Sequence, residues 1–179
     1  YSGTNTRVIE IPLDRTSAMY DVPGFFTNNS VWDIVEKSVA NDTAPNKVLE
    51  GRKINLVQGS AFSFGGLTRI DLLSPKRTSV TVYCSNKIDL HYYFRGHDLD
   101  KSFYSAISRK SLKPISTYLD SYEKFDIYDI EVTEDGERDI GILGLGWISF
   151  TGEHQIFRVT VPKNVYVYSS MAKIIYVKK

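Results

Sequence analysis

The chain has 179 residues, which is enough for one ordinary domain or for one domain and part of another. Hydrophobic residues make up 42% and charged residues 24%, a balance that excludes wholesale disorder. Because 22 Lys and Arg residues face 21 Asp and Glu residues, the net charge of +1 gives no global reason to expect a nucleic acid, a membrane surface or an acidic substrate as partner. The apolar runs are also far too short for a transmembrane span.

Cys84 is the only cysteine, which excludes a disulfide framework and a cysteine-rich zinc site. The sequence has no initiator Met and no charged start followed by an apolar stretch, so we expect no signal peptide. The opening residues, Tyr1-Ser2-Gly3-Thr4, are typical of the middle of a protein. We therefore expect a fragment or a processed product, in a reducing, cytoplasmic compartment.

The first predicted elements are a β-hairpin and a helix. Apolar residues alternate along residues 8–13, and a second short strand over 17–20 follows a polar break, which indicates an antiparallel pair. Residues 31–40 place their apolar side chains on one helical face, with Ser30 as the N-cap. The polar stretch 41–47 is the best candidate for a domain boundary.

After residue 52 the pattern is mostly that of β-strands. Runs rich in β-branched and aromatic residues are separated by turn-forming residues, and they lie at 54–58, 61–73, 78–84, 88–94, 125–133, 140–150, 155–161, 165–168 and 173–177. One helix is expected in this part, over residues 98–108. The sequence thus predicts an α+β, β-rich fold in which a hairpin and a helix precede a mainly antiparallel β domain.

Asp21-Val22-Pro23-Gly24, at the end of the second predicted strand, is a candidate nucleotide-binding motif. In P-loop nucleotide hydrolases an aspartate at a strand end helps to hold Mg²⁺, and a glycine three residues later offers its backbone N–H to the γ-phosphate. Gly24 suits this role because side-chain bulk would block the close approach. A bare Asp-x-x-Gly fits a simple turn equally well, but a hairpin that leads into it favours the functional interpretation.

Thr4 and Phe25 flank this motif and bear on the same hypothesis. Thr4 lies upstream of the hairpin, where a switch I threonine contributes a Mg²⁺ contact when GTP is bound. Phe25 stands where many small GTPases place a glutamine that orients the attacking water. A phenyl ring cannot hydrogen-bond water, so hydrolysis would depend on another group, such as a bound cation or the backbone. A plain core or loop phenylalanine is the alternative, and we name no catalytic residue.

The chain resembles the YqeH family of circularly permuted GTPases, which are linked to small ribosomal subunit assembly. The similar segments run in order through nearly the whole chain, at residues 9–25, 64–73, 78–93, 139–150 and 161–167. The Phe-Gly-Gly-Leu and Gly-Leu-Gly-Trp sequences within them are more specific than any nucleotide motif. The resemblance implies that the P-loop, the base-reading motif and a zinc-binding region precede this chain in the intact parent.

The resemblance also implies a division into two parts. Residues 1–50 would be the C-terminal end of a circularly permuted GTPase domain, a partial P-loop GTPase segment with switch I, switch II and a helix. Residues 51–179 would be a β-rich domain for RNA or protein interaction, similar to the trp RNA-binding attenuation protein. The expected partners are the small ribosomal subunit or its RNA and proteins, and neither DNA nor a membrane.

Cofactors are expected only in the intact parent. There, Thr4 and Asp21 would hold Mg²⁺, while Gly24 and Thr4 would contact GTP or GDP. No Gly-x-x-x-x-Gly-Lys-Ser/Thr occurs in the chain, so the residues that cradle the phosphates are missing. We therefore expect this chain to bind no nucleotide usefully and to be inactive by itself.

Asn86-Lys87-Ile88-Asp89 matches the Asn-Lys-x-Asp motif that reads guanine, and an apolar strand precedes it. That order suits an unpermuted GTPase. Without a P-loop, and with flanks that resemble the β-rich domain, the match is better explained as a turn at the end of a strand. Gly144-Leu145-Gly146-Trp147 has no helix after it and is likewise predicted to be a structural turn or bulge.

A local cluster of cations is the best candidate for contact with RNA or another partner. Aromatic residues at 92–94 and 103–104 are interleaved with it, and the cations are Arg95, Lys101, Arg109, Lys110 and Lys113. Aromatic rings beside cations suit RNA because bases stack on the rings and phosphates pair with the charges. The alternative for any single residue is a solvated face beside core aromatics.

Two other functions stay open. The first is a stand-alone β-rich module that binds RNA or protein and has no nucleotide role, with Asp21–Gly24 as a plain turn. The second is a conventional GTPase that uses Asn86 and Asp89. The three histidines are too scattered for a metal site, and Cys84, in an apolar strand, is expected to be a buried, inert thiol.

Overall fold

The computed structural model describes residues 29–170 in full and, as backbone strands only, Ile9–Pro12, Ala18–Asp21 and Met171. Two antiparallel five-stranded sheets form the body of the protein, and only two α-helices accompany them in this part of the chain. The β-rich, mainly antiparallel fold class is confirmed. The GTPase segment and the likeness to the attenuation protein remain predictions.

The hairpin at the start of the chain is confirmed. Strands β1 (Ile9–Pro12) and β2 (Ala18–Asp21) pair antiparallel, with Ile9 opposite Asp21 and Pro12 opposite Ala18. Thr4, Gly24 and Phe25 lie outside the described residues, and Asp21 is described only as the last residue of β2.

The single helix predicted over residues 31–40 is wrong. A short 3-10 turn, Val31–Asp33, comes first, and helix α1, Lys37–Thr43, begins only after the extended residue Glu36. Ser30 does cap the turn, since its side chain accepts from Trp32 N and its own N–H donates to Asp33. The β-branched run around Val31 forms a helix poorly. The apolar side chains of this segment are nonetheless buried together, and Val31, Val35 and Val39 lie in the main hydrophobic core.

The first sheet has the strand order β12-β9-β10-β6-β3, and the second has the order β7-β4-β5-β11-β8. The strands are β3 (Arg52–Leu56), β4 (Ala61–Phe64), β5 (Thr68–Leu72), β6 (Thr78–Cys84), β7 (Leu90–Tyr93), β8 (Phe125–Glu131), β9 (Gly136–Ile142), β10 (Gly146–Gly152), β11 (Ile156–Pro162) and β12 (Val167–Met171). Helix α2, Leu99–Ser108, connects β7 to the residues before β8.

Two of the runs predicted as single strands each contain two paired strands. The run 61–73 contains β4 and β5, which reverse at Gly65-Gly66, and the run 140–150 contains the end of β9 and most of β10, which reverse at residues 143–145. Gly65 has a φ of +54°, which a residue without a side chain adopts without strain. The predicted strand 173–177 lies outside the described residues.

The apolar faces of the two sheets enclose one core. Phe150 of the first sheet and Phe157 of the second lie with ring centroids 4.8 Å apart, and both are buried. Successive side chains of a strand point to opposite faces, so Arg69 and Asp71 lie on the face of β5 opposite Ile70. Helix α2 covers that polar face. The boundary predicted at residue 50 remains a prediction, although residues 31–39 pack into the same core as the strands.

Candidate nucleic-acid interface

Helix α2 and the loop after it carry most of the cations that the sequence singles out. Asp98 caps the helix by accepting from Lys101 N at 2.9 Å, and Phe103 and Ile107 are its buried residues. The five cations are exposed and follow one another along residues 95–113, and they are Arg95, Lys101, Arg109, Lys110 and Lys113. We call residues 95–113 the basic segment. Lys101 lies in the first turn of α2, and Arg109 follows its last residue, about two helical turns later.

The helix ends in a turn that holds Lys110 in a left-handed conformation, with a φ of +52°. Lys110 N donates to Ile107 O and Ser111 N donates to Ala106 O, at 2.9 and 3.1 Å. This pair of bonds defines a C-terminal cap in which glycine is the usual residue. A lysine at this position puts a positive charge beside the partly negative end of the helix and projects it into solvent.

A buried ion pair fixes α2 to the second sheet. Arg69, which is 1% exposed, donates from Nε and Nη2 to the two carboxylate oxygens of Asp71 at 2.6 and 2.9 Å. Its Nη2 also donates to Asp100 of α2 at 2.7 Å, and its guanidinium lies 5.6 Å from the ring centroid of Phe103. Burial disfavours the charge, but the bonds to Asp71 and Asp100 outweigh it and raise the pKa of Arg69. The basic helix is thus anchored by a buried cation.

A groove leads from the basic segment along β7 and β3, each of which is the last strand of its sheet among the described residues. Two neighbouring cavities of about 590 and 610 Å³ share Arg52 and Asn86 in their walls. One extends along residues 45–50, and the other extends along residues 88–92 to Ser111 and Leu112, within the basic segment. Lys47, Lys53 and His91 are further basic side chains in the lining, and Glu50 and Asp89 are its carboxylates. We call these two cavities together the edge groove.

Two aromatic rings stand where the edge groove meets the basic segment. Tyr92 lines the groove, and Phe94 packs edge-on against it with ring centroids 5.0 Å apart. Phe94 is 69% exposed. Exposed rings next to cations can stack on bases while the cations pair with phosphates. The arrangement therefore has the two kinds of groups that single-stranded nucleic acid requires.

Asn86-Lys87-Ile88-Asp89 forms the turn between β6 and β7, as the sequence predicts. Asp89 N donates to Lys113 O, and Asp89 O accepts from Gly65 N, both at 2.8 Å. Arg52 donates to Ile88 O at 2.9 Å, and Lys87 pairs with Asp42 at 3.5 Å. The turn is a junction that ties the Gly65 hairpin and the loop at Lys113 together. The turn predicted at residues 144–147 is present in part, because the chain reverses at residues 143–145, whereas Gly146 and Trp147 already belong to β10.

The residues after the predicted switch II are bound to the β-rich part at two places. Tyr166 N donates to Asn29 O at 2.8 Å, and Val31 N donates to Leu143 O at 3.0 Å. A side chain on Gly144 would collide with Ser30 Oγ, so the two segments approach as closely as their backbones permit. This contact fixes the start of the described chain against the β9–β10 turn.

The second place of contact between residues 29–43 and the β-rich part is the carboxylate of Glu36. Glu36 accepts from Ser116 Oγ at 2.6 Å, from Thr117 N at 2.7 Å and from Thr117 Oγ1. Partial burial favours the protonated form, but these hydrogen bonds prevail and lower the pKa of Glu36 to about 2. Glu36 is therefore an anion at neutral pH and holds the loop that begins three residues after Lys113. We call this contact the Glu36 clamp.

Cys84 is buried, as expected, and burial raises the pKa of its thiol despite the nearby Arg52, which donates to Sγ at 2.6 Å. Among the described residues no three His, Cys, Asp or Glu side chains come together to hold a metal ion. None of the helices in this part of the chain is long and apolar enough to cross a membrane.

Sequence reasoning missed Arg52, Glu36 and the Arg69–Asp71 pair. Arg69 and Asp71 offered a signal, because two charges at alternate positions within an apolar strand lie on one face and can pair. Glu36 offered none, since its partner Ser116 is 80 residues away in the sequence.

The chain is similar to a protein of Bacillus subtilis (strain 168) described as "Uncharacterized protein YqeH". The two are 27% identical over 168 residues, which is 94% of this chain and 45% of the relative. The chain thus spans less than half the length of the relative it matches. No protein-family model matches the chain. The comparison supports a distant relationship to YqeH that extends over nearly the whole chain.

Proposed function

We propose that this chain is the C-terminal part of a GTP-binding and GTP-hydrolysing protein of the YqeH type, which acts in small ribosomal subunit biogenesis, and that its β-rich part binds RNA. In the intact parent, Thr4 and Asp21 hold Mg²⁺, and Gly24 contacts the γ-phosphate. The similarity to YqeH over 94% of the chain supports the relationship. Thr4 and Gly24 lie outside the described residues, and Asp21 is described only as the backbone end of β2, so this half of the proposal rests on sequence.

The observation that carries the RNA half is the continuity of the basic segment with the edge groove. Cations of the segment end at Lys113, and the groove begins at Ser111 and Leu112 and continues past Arg52 to Lys47. Phosphates along such a path would pair with the cations, and bases would stack on Phe94 or Tyr92. Single-stranded RNA is therefore the proposed ligand, since a duplex hides the faces of its bases.

The Glu36 clamp supports a link between the nucleotide and RNA halves. It joins the segment after the predicted switch II to the loop that follows Lys113, over hydrogen bonds of 2.6 and 2.7 Å. A nucleotide-dependent movement at Gly24 is then transmitted through residues 29–43 to the basic segment. Equal affinity of the intact parent for ribosomal particles with GDP and with a GTP analogue would contradict this link.

A titration of a fluorescently labelled, single-stranded RNA of mixed sequence into the chain tests the RNA half. We expect saturable binding whose logarithmic affinity falls linearly with the logarithm of salt concentration. Changing Arg109, Lys110 and Lys113 together to glutamate is expected to weaken binding at least ten-fold and to reduce the salt slope by about 2, at about 0.7 per lost phosphate contact. Lys163→Glu, an exposed charge reversal in the β11–β12 turn, is the control and should change little.

Three outcomes would contradict this proposal or a part of it. If the triple variant binds RNA as tightly as the unchanged chain, the basic segment is not the interface. If the chain alone binds a fluorescent GTP analogue with Mg²⁺ and Asp89→Asn abolishes that binding, the conventional GTPase with Asn86 and Asp89 replaces the proposal. If Asp21→Ala leaves the GTPase activity of the intact parent unchanged, the stand-alone binding module is favoured.

A further inference from the structure

Strand β8 is an open edge of the second sheet. It runs for seven residues, Phe125–Glu131, and pairs with β11 on one side, while no strand in the described ranges pairs with its other side. Its middle residues are exposed on both faces, with Ile127 at 39% and Tyr128 at 42%. A strand edge of this kind presents backbone N–H and C=O groups to any extended segment that reaches it.

The residues around β8 carry a strong local negative charge. Residues 118–135 include seven acidic side chains, and Lys124 is the single basic one among them. Two of the carboxylates on β8 have partners, because Asp129 accepts two hydrogen bonds from Arg158 at 2.8 Å and Asp126 accepts from Asn164 N at 3.1 Å. Glu131 is exposed at the end of the strand. We call β8 with its flanking carboxylates the acidic edge.

The negative charge of the acidic edge determines which class of partner can bind there. Phosphates of RNA are repelled by them. A second copy of the chain pairing β8 with β8 would bring two strongly acidic segments together, and their like charges would repel. A basic segment is attracted, and apolar residues that alternate with its cations would cover Tyr128 while the cations face Asp129 and Glu131 on the other side of the strand.

We propose that the acidic edge binds an extended, lysine- and arginine-rich segment of a partner protein, which adds to the second sheet as a strand beside β8. Main-chain hydrogen bonds supply the register, and the carboxylates supply the preference for a basic sequence. The site does not depend on RNA binding by the basic segment, so either proposal can fail without the other.

The experiment uses the full chain and a fluorescein-labelled peptide of ten alternating lysine and valine residues. We expect saturable binding by polarisation, no binding of a matched glutamate–valine peptide, and slower hydrogen exchange at alternate backbone amides of β8 when the lysine peptide is present. Glu131→Lys is expected to weaken binding about five-fold. Asp42→Lys, which reverses a half-exposed carboxylate of α1 outside both the acidic edge and the edge groove, is the matched control and should leave the affinity unchanged.

Three outcomes would overturn the proposal. The first is no binding of the lysine peptide, and the second is binding that Glu131→Lys does not weaken or that leaves exchange in β8 unchanged. The third is binding of the lysine peptide only to a variant in which Lys173, Lys178 and Lys179 are all changed to glutamate. That result would mean that the chain's own lysine-rich end, and not a partner protein, is the occupant of the acidic edge.

Discussion

The basic segment and the acidic edge are neighbours in sequence and lie on the same sheet, yet they carry opposite charges. The basic segment, residues 95–113, contains five Lys and Arg and two Asp side chains, whereas residues 118–135 contain one basic and seven acidic ones. The net charge of +1 for the whole chain conceals both. Two surfaces of opposite sign are what the two separate proposals, one for a polyanionic and one for a polycationic partner, require.

The two regions are also held in different ways. Arg158 forms a bidentate pair with Asp129 within the acidic edge, and both side chains are more than 40% exposed. The equivalent pair beneath the basic segment, Arg69 with Asp71, is almost completely buried. An arginine–aspartate pair is therefore expected to contribute little to the free energy of unfolding where it is exposed and much where it is buried.

The largest expected effect comes from breaking the buried pair. Arg69→Met is expected to lower the free energy of unfolding by about 3–5 kcal/mol, because Asp71 would stay buried without its partner. Arg158→Met, the matched change in the exposed pair, should cost at most about 1 kcal/mol. Urea unfolding of both variants measures the difference. Similar losses for the two would show that burial does not distinguish these pairs.

The next effect concerns the backbone that supports the loop at Lys113. A Cβ on Gly65 would lie 2.5 Å from Pro114 O and 2.7 Å from the carbonyl carbon of Lys113, while one on Gly96 would meet nothing within 4 Å. Both glycines have a positive φ, so alanine is strained at either position. Gly96→Ala should cost about 1 kcal/mol for that strain alone. Gly65→Ala should cost about 2 kcal/mol or more, because it also displaces backbone.

Thermal or urea unfolding compares the two glycine variants, and RNA binding adds a second measurement. Gly65→Ala is expected to weaken RNA binding by displacing Lys113, even where the protein remains folded. If Gly96→Ala were the more destabilising of the two, the contact of Gly65 with the loop would not support the fold.

Much of this fold is predictable because its elements are local. Strand β6 has the predicted bounds, and α2 begins one residue after the predicted start, since Asp98 is a good N-cap before an amphipathic run. The apolar pattern predicts a single strand in each of the runs 61–73 and 140–150. A reversal built from glycine and leucine hardly interrupts an apolar pattern, so their hairpins were hidden.

The candidate site, too, is predictable from the sequence only in part. The cations of the basic segment are visible as a local cluster, and so are their aromatic neighbours. The contacts that position them join Arg69 to Asp100 and Glu36 to Ser116, across 31 and 80 residues of sequence. Such pairs depend on which strands become neighbours, and no local spacing encodes that. The nucleotide residues of the hypothesis remain predictions.

A substitution of Lys110 is expected to change the stability of the fold and its affinity for RNA in opposite directions. Lys110→Gly is expected to stabilise the fold by about 1 kcal/mol, because glycine adopts the left-handed cap without strain. The same change removes one cation, so RNA affinity should fall about two- to five-fold. Unfolding and RNA titration of the same variant measure both effects. A stabilised variant with unchanged RNA affinity would exclude Lys110 from the interface.

The smallest expected effect is at the Glu36 clamp, which joins residues 29–43 to the loop after the basic segment. Its pKa of about 2 lies below the ordinary value of 4.5, so the clamp contributes fully above about pH 4.5 and is lost as the pH falls towards 2. Because Thr117 is exposed and water competes for its hydrogen bonds, Glu36→Gln should cost less than about 1 kcal/mol at pH 7.

The difference in unfolding free energy between the chain and Glu36→Gln should therefore shrink as the pH is lowered from 4.5 to 2. Urea titrations at pH 6, 4 and 2.5 measure it. A difference that is independent of pH would mean that the Glu36 carboxylate does not hold the loop. If the clamp is confirmed and Glu36→Gln also alters RNA affinity at pH 7, residues 29–43 are coupled to the basic segment. That coupling is what a nucleotide switch upstream of residue 29 would require.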